Sequence, residues 1–184
     1  MGREALAIRA RINRVLETLF FSENPSMLTA GVPVAISEYL RPQTVLFFKD
    51  TGRDEAIRAL VEALAKVHPV GDIETFYQAV IEREKLVSTG VGVGVAVPHA
   101  KLDNCRQFFV ALGIIKGRGV DWKSLDGSLV KLIFLIGGPS NQQKKYLAIL
   151  SELTALVRES AFREKLLQAY EEKEVVALFK ERGF

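Results

Sequence analysis

Two near-continuous apolar runs, at residues 107–115 and 129–136, set the narrowest limit on how this chain folds. Runs of this length and continuity suit strands buried on both faces. The join between them, GRGVDWKSLDG, is rich in turn residues and has no room for a crossover helix. The two strands are therefore antiparallel if they pair. Around this pair, helical and strand periods alternate. Residues 44–48 (TVLFF) are β-branched and aromatic, as a strand requires. Residues 51–67 put Ile57, Leu60, Val61, Leu64 and Val67 on one helical face, and a short helical turn is expected near residues 36–40. Asp72 is a candidate N-cap for a second helix that turns Ile73, Phe76, Val80 and Ile81 inward and ends near Lys85. Ser140 with Gln143 has capping-box spacing ahead of a long helix whose inner face is Tyr146, Leu150, Leu153 and Val157. Another helix opens at Ser160, and EEKEVVALFKE makes a last short one. The pattern is an α/β layered fold with a mixed sheet.

The chain has 184 residues, enough for one globular domain with an added segment. That segment is expected at 1–33. Residues 3–20 form an amphipathic helix with Ile8, Ile12, Val15, Leu16 and Leu19 on one face, and FSENPSMLTAGVPV (residues 21–34) breaks regularity as a connector. The main domain is expected over 34–184. A net charge of +3 is mild, and no dense Lys/Arg run or basic–aromatic interleaving points to nucleic acid. Cys105 is the only cysteine, so no intrachain disulfide forms. One cysteine and two histidines without ligand spacing do not make a zinc site, and no metal is expected. No uncharged apolar run approaches the roughly 18 residues of a membrane span. The expectation is a cytoplasmic protein without direct membrane insertion.

The chemistry concentrates in LVSTGVGVGVAVPHA. Gly90, Gly92 and Gly94 follow a helix and open a strand, the reverse of a dinucleotide fingerprint, and no GK[ST] follows. Backbone N–H groups of such a turn can converge on an anion as a nest. Ser88 and Thr89 add hydroxyls. Arg83, at the end of the preceding helix, offers a planar fork for phosphate. His99 stands just beyond the strand VAVP, after the stiff Pro98. A neutral imidazole, with an ordinary pKa of about 6.5, is a competent nucleophile at neutral pH. Phosphoryl transfer to it requires chiefly positioning and charge stabilisation, and needs no metal or other cofactor if Arg and backbone donors meet the charge. The residues alone leave two readings of His99 open: a structural histidine after a strand, or a phosphoryl acceptor. Elsewhere, Cys105 reads as buried filler, Trp122 as packing, Asp121 and Asp126 as turn residues, and His68, before Pro69 in an interhelix turn, as a surface residue.

The stretch REKLVSTGVGVGVAVPHA, from Arg83 to Ala100, resembles the signature of phosphotransferase-system IIA domains of the fructose/mannitol class, which includes the nitrogen-regulatory IIA proteins. The resemblance runs from about Val34 to Phe184, and FREKLLQA is similar to the family's C-terminal part. It implies a mixed sheet flanked by helices on both faces. It implies a phosphotransferase component in which His99 takes a phosphoryl group from the phosphohistidine of a small HPr-like carrier. Arg83, Ser88 and Thr89 would help hold the phosphate. Such a domain acts either as a regulatory protein of the nitrogen type, which alters its binding to a target protein, or as a sugar-transport component that passes the group to a separate IIB subunit. One position departs from the family. Where a second histidine is often found early in the long helix, this chain has Tyr146, whose hydroxyl can donate a hydrogen bond but carries no positive charge. That departure admits a third expectation, a protein-binding module that is not phosphorylated.

Overall fold

The structure, a computed structural model, describes residues 34–103, 105–124 and 126–182. The segment expected as an amphipathic helix at 3–20 lies outside them. After a short 3-10 turn (Ile36–Glu38) come β1 (Leu40–Phe48), α1 (Arg53–Ala65) and α2 (Ile73–Leu86). Then follow three short strands, β2 (Gly90–Gly92), β3 (Val95–Ala96) and β4 (His99–Leu102), and two long ones, β5 (Phe109–Ile115) and β6 (Leu132–Pro139). The chain closes with α3 (Gln143–Arg158), α4 (Ser160–Gln168) and α5 (Glu172–Glu181).

The two apolar runs become β5 and β6, which pair antiparallel with Val110 opposite Ile136 and Leu112 opposite Phe134. The sheet order is β1-β5-β6-β3-β2, with β4 also on β6. β1 runs parallel to β5, and both β3 and β4 run parallel to β6. The sheet is thus mixed. Alternation along the strands sends side chains to opposite faces. Val110, Leu112, Leu132, Phe134 and Ile136 pack against Leu150, Leu153, Phe162 and Phe179 of α3, α4 and α5. Phe109, Ala111, Ile133 and Leu135 pack against Ile57, Leu60 and Phe76 of α1 and α2. Each large side chain removed from water contributes about 1.5–3 kcal/mol, which is why both faces must be covered. The packing across β6 is tight: a Cβ at Gly137 would lie 2.1 Å from Phe109 Cε2, and one at Gly138 2.1 Å from Phe108 Cδ1.

Asp72 caps α2 as expected, accepting from the Thr75 amide at 2.7 Å. Other local expectations fail for tertiary reasons. The capping box does not form: the Ser140 amide donates to the Leu102 carbonyl, which holds Ser140 at the end of the sheet. α3 therefore begins only at Gln143, behind Gln142, which makes no side-chain cap bond. Val67 and Ile73, expected inward, are exposed, because α1 ends at Ala65 and the Val67 amide turns back to Leu64. His68 does lie in the interhelix turn, but it is not simply a surface residue. Its ring stacks on Phe109 with 5.6 Å between centroids, its Nε2 is buried, and burial holds its pKa below the ordinary value. Cys105 and Trp122 are buried, as read.

Candidate functional site

His99 opens β4 because the strand before it breaks. β3 and β4 lie end to end along the same edge of β6, and the gap between them is Val97–Pro98. Proline has no N–H to continue a ladder, so pairing stops there. It resumes with His99 opposite Ile136. The imidazole is buried, with 5% of its surface exposed. Its Nδ1 lies 2.7 Å from the Val97 carbonyl oxygen. A carbonyl can only accept, so Nδ1 carries the proton and the lone pair falls on Nε2. Burial, the largest cause, pushes the His99 pKa down to about 4 against the Val97 carbonyl, which favours the proton; the charges of Arg83 and Lys101 push it down further. At neutral pH the ring is uncharged.

The ring stands at a pocket of about 300 Å³, lined by Ala79, Arg83, His99, Ala100, Lys101, Gln143, Tyr146 and Leu147. Ala79 and Arg83 come from α2, one turn apart on the same helical face. Gln143, Tyr146 and Leu147 come from the first turns of α3. The Tyr146 ring meets the imidazole edge-on at 6.0 Å between centroids, and Lys101 Nζ lies 5.8 Å from the centroid of that same ring. Tyr146 is 3% exposed, and burial raises its pKa above the ordinary phenol value. Its hydroxyl is therefore a protonated donor, and among the described residues it has no hydrogen-bond partner.

Arg83, His99 and Tyr146 thus share one pocket, while Ser88 and Thr89 do not line it. The Ser88 hydroxyl donates to the Trp122 carbonyl at 2.7 Å. Thr89 is fixed by Glu84, whose carboxylate accepts from both its amide (2.8 Å) and its hydroxyl. The Trp122 indole N–H donates to the same hydroxyl. From Thr89 the bonding continues inward: its carbonyl accepts from the Val97 amide at 3.1 Å, and the Val97 carbonyl holds His99 Nδ1. Thr89 therefore acts on the imidazole through Val97, two hydrogen bonds away. The glycine-rich stretch is likewise not a phosphate nest. It is a tight hairpin turn between β2 and β3, with Val93 at φ 52° and Gly94 at φ 77°, the positive pair a two-residue turn requires. Its amides are already occupied: Val93 N–H donates to Asp126 Oδ2 at 2.7 Å and Gly94 N–H to Ser128 Oγ at 3.0 Å. The anion it holds is the chain's own Asp126, which is more than a turn residue.

Two residues that shape the site are given no role by the sequence reading. Glu84 stands in the signature stretch beside Arg83, but only the fold shows that its carboxylate fixes Thr89. Lys101 is discoverable only once His99 is placed inside a strand, since positions i and i+2 then share a face.

Comparison with known proteins identifies the family and the fold. Residues 38–182 match the family model described as "Phosphoenolpyruvate-dependent sugar phosphotransferase system, EIIA 2". The fructose-specific EIIA component of Haloferax volcanii is 35% identical over 67% of this chain and 79% of its own length. The fructose-specific EIIABC component of Bacillus subtilis is 32% identical over 77% of this chain, which spans only 22% of that larger protein. Among solved structures, the nitrogen regulatory protein IIA-Ntr of Neisseria meningitidis superposes with a TM-score of 0.71 at 28% identity, covering 79% of this chain and 99% of that one. IIA mannitol of Escherichia coli does so with a TM-score of 0.65 at 25% identity, over 76% of this chain and 98% of that one. By fold, by signature and by a family match over most of its length, this chain belongs to the EIIA 2 family of phosphoryl carriers of the phosphoenolpyruvate-dependent sugar phosphotransferase system.

Proposed function

We propose that His99 accepts a phosphoryl group on Nε2 from the phosphohistidine of an HPr-like carrier, and that the chain works as a regulatory IIA protein of the nitrogen type. The observation that carries this reading is the neutral imidazole, its Nδ1 proton on the Val97 carbonyl and its lone pair therefore on Nε2, in a pocket shared with Arg83 and Lys101. The step balances without moving a proton. The P–N bond to a protonated donor ring breaks and that ring leaves as neutral imidazole. A P–N bond forms at His99 Nε2, and the His99 ring takes over the positive charge. The Val97 carbonyl supports that charge through Nδ1–H, and the arginine fork suits the oxygens of the transferred group. Tyr146 can donate one hydrogen bond to them. Ser88 and Thr89 are given a positioning role, with no contact to phosphate.

A second reading has its own support. The 35% identical relative is named as a fructose-specific EIIA component, so transfer onward to a separate IIB subunit is the alternative. Among the described residues no helix is long and apolar enough to cross a membrane. Incubating the full chain with a phosphorylated HPr-type donor and locating the added phosphate by mass spectrometry tests the carrier reading. The expected result is one phosphate on His99, absent in His99→Ala. Wild type labelling no better than His99→Ala leaves only a binding module. Adding a fructose-type IIB acceptor then separates the two carrier readings: retention of the label supports regulation, and rapid loss to IIB supports transport.

A further inference from the structure

A phosphoryl group on a histidine brings about two negative charges into the pocket, by analogy with phosphorylated hydroxyl residues. Arg83 answers one of them. Tyr146 offers a hydrogen bond and no charge. We infer that Lys101 is the second cation of the site, placing its ammonium against the phosphoryl oxygens on His99 from the other end of β4. This rests on the proposal that His99 carries phosphate.

Strand geometry puts Lys101 there. His99 and Lys101 are two apart on β4, paired to Ile136 and Gly138 of β6, so both project to the face covered by α3. Lys101 Nζ reaches the Tyr146 ring, which in turn abuts His99. Its charge already bears on the imidazole, as does that of Arg83. Neither cation is neutralised: among the described ion pairs, neither Arg83 nor Lys101 has a carboxylate partner. Two positive side chains left facing one pocket repel each other unless an anion comes between them.

The far wall has the same polarity. The first turn of α3 contains no acidic residue and no side-chain cap, and its Gln143 lines the pocket. A helix N-terminus without an acid presents free N–H groups and a positive dipole end. Set into this wall is the Tyr146 hydroxyl, buried and unpartnered. A buried donor without an acceptor costs free energy, and an entering phosphoryl oxygen relieves that cost. Lys101, the α3 N-terminus and Tyr146 therefore all border the pocket onto which His99 opens. The signature ends too early to include Lys101, and the position usually associated with a second charge, Tyr146, lacks one.

The test uses the full-length chain and inorganic phosphate as the probe, followed through the ring signals of Tyr146 and His99 by NMR. Phosphate is expected to shift both sets of signals in the wild type. Lys101→Gln and Lys101→Met should weaken that binding about tenfold, the size of one lost charge-assisted hydrogen bond, while Lys101→Arg stays close to wild type. Lys101→Gln should also raise the His99 titration midpoint, a readout that a merely structural lysine would not move. Phosphate affinity equal in wild type and Lys101→Gln overturns the inference, as does a wild type whose signals ignore phosphate. The carrier reading fails by a different result. If phosphate binding depends on Lys101 but a phosphorylated HPr-type donor never labels His99, the cation site stands and the carrier function falls.

Discussion

His99 and Tyr146 are both buried polar groups, and their environments push them in ways that suit acceptance of a phosphoryl group. For His99 the loss of hydration outweighs the Val97 carbonyl, so the folded pKa of about 4 lies below the ordinary 6.5. Above pH 6.5 the ring is neutral in both folded and unfolded chains and contributes nothing to pH dependence. As pH falls from 6.5 toward 4 the unfolded chain gains a proton that the folded one refuses, so stability drops through that window. At 1.36 kcal/mol per unit the full loss is roughly 3 kcal/mol. Denaturant titrations at pH 7 and pH 4.5 should find the wild type losing about 2 kcal/mol more than His99→Gln. Parallel losses in the two proteins would contradict a buried neutral imidazole. Tyr146 makes the opposite bargain. Its hydroxyl is buried without a partner, so Tyr146→Phe removes a desolvation cost and should raise stability by about 1 kcal/mol. The same variant should slow labelling of His99 several-fold, because the hydroxyl donor to the phosphoryl group is gone. A Tyr146→Phe protein that is both less stable and labelled at the wild-type rate would mean that the hydroxyl has a structural partner instead.

At the scale of elements, the site is assembled by backbone hydrogen bonds between segments that are individually too short to hold it. β2, β3 and β4 span three, two and four residues. Their stiffness comes from outside. Glu84 at the end of α2 fixes Thr89, Thr89 fixes Val97, and Val97 fixes the imidazole. Asp126 and Ser128 fix the turn between β2 and β3. This explains which parts were legible in the sequence. α2 was readable because its cap and its apolar spacing are local. The strand run to Ile115 was readable because burial on both faces leaves a continuous apolar signal. The capping box at Ser140 was misread because the spacing is local but the competing bond, to Leu102, is not. The glycine-rich stretch read as an anion nest, and one of its amides, that of Val93, does hold a carboxylate, from a residue 33 positions away. Ser88 and Thr89 read as phosphate ligands because their hydroxyls are near His99 in sequence. Only the fold reveals that those hydroxyls are taken by Trp122 and Glu84.

Over the whole molecule, the sheet separates two hydrophobic cores and brings β4, which continues the line of β3 along β6, to the edge where α2 and α3 both border one pocket. His99 is placed there by the break at Pro98, at a point where helices from the two opposite layers both contribute to one pocket. The family match spans 38–182. The division proposed from the sequence, a preceding segment at 1–33 and a carrier domain from residue 34, then has a direct consequence. A chain beginning at Val34 should unfold in one cooperative transition with the denaturant midpoint of the full-length protein, as a single core-bearing domain does. It should also accept phosphate on His99 at the full-length rate, since every pocket residue and the whole Glu84–Thr89–Val97 relay are retained. Sedimentation of the two chains separates the remaining roles of the segment: loss of a larger species on shortening assigns it to self-association, and an unchanged monomer does not. A lowered midpoint for the shortened chain would instead place residues 1–33 against the domain and move its boundary to before Val34.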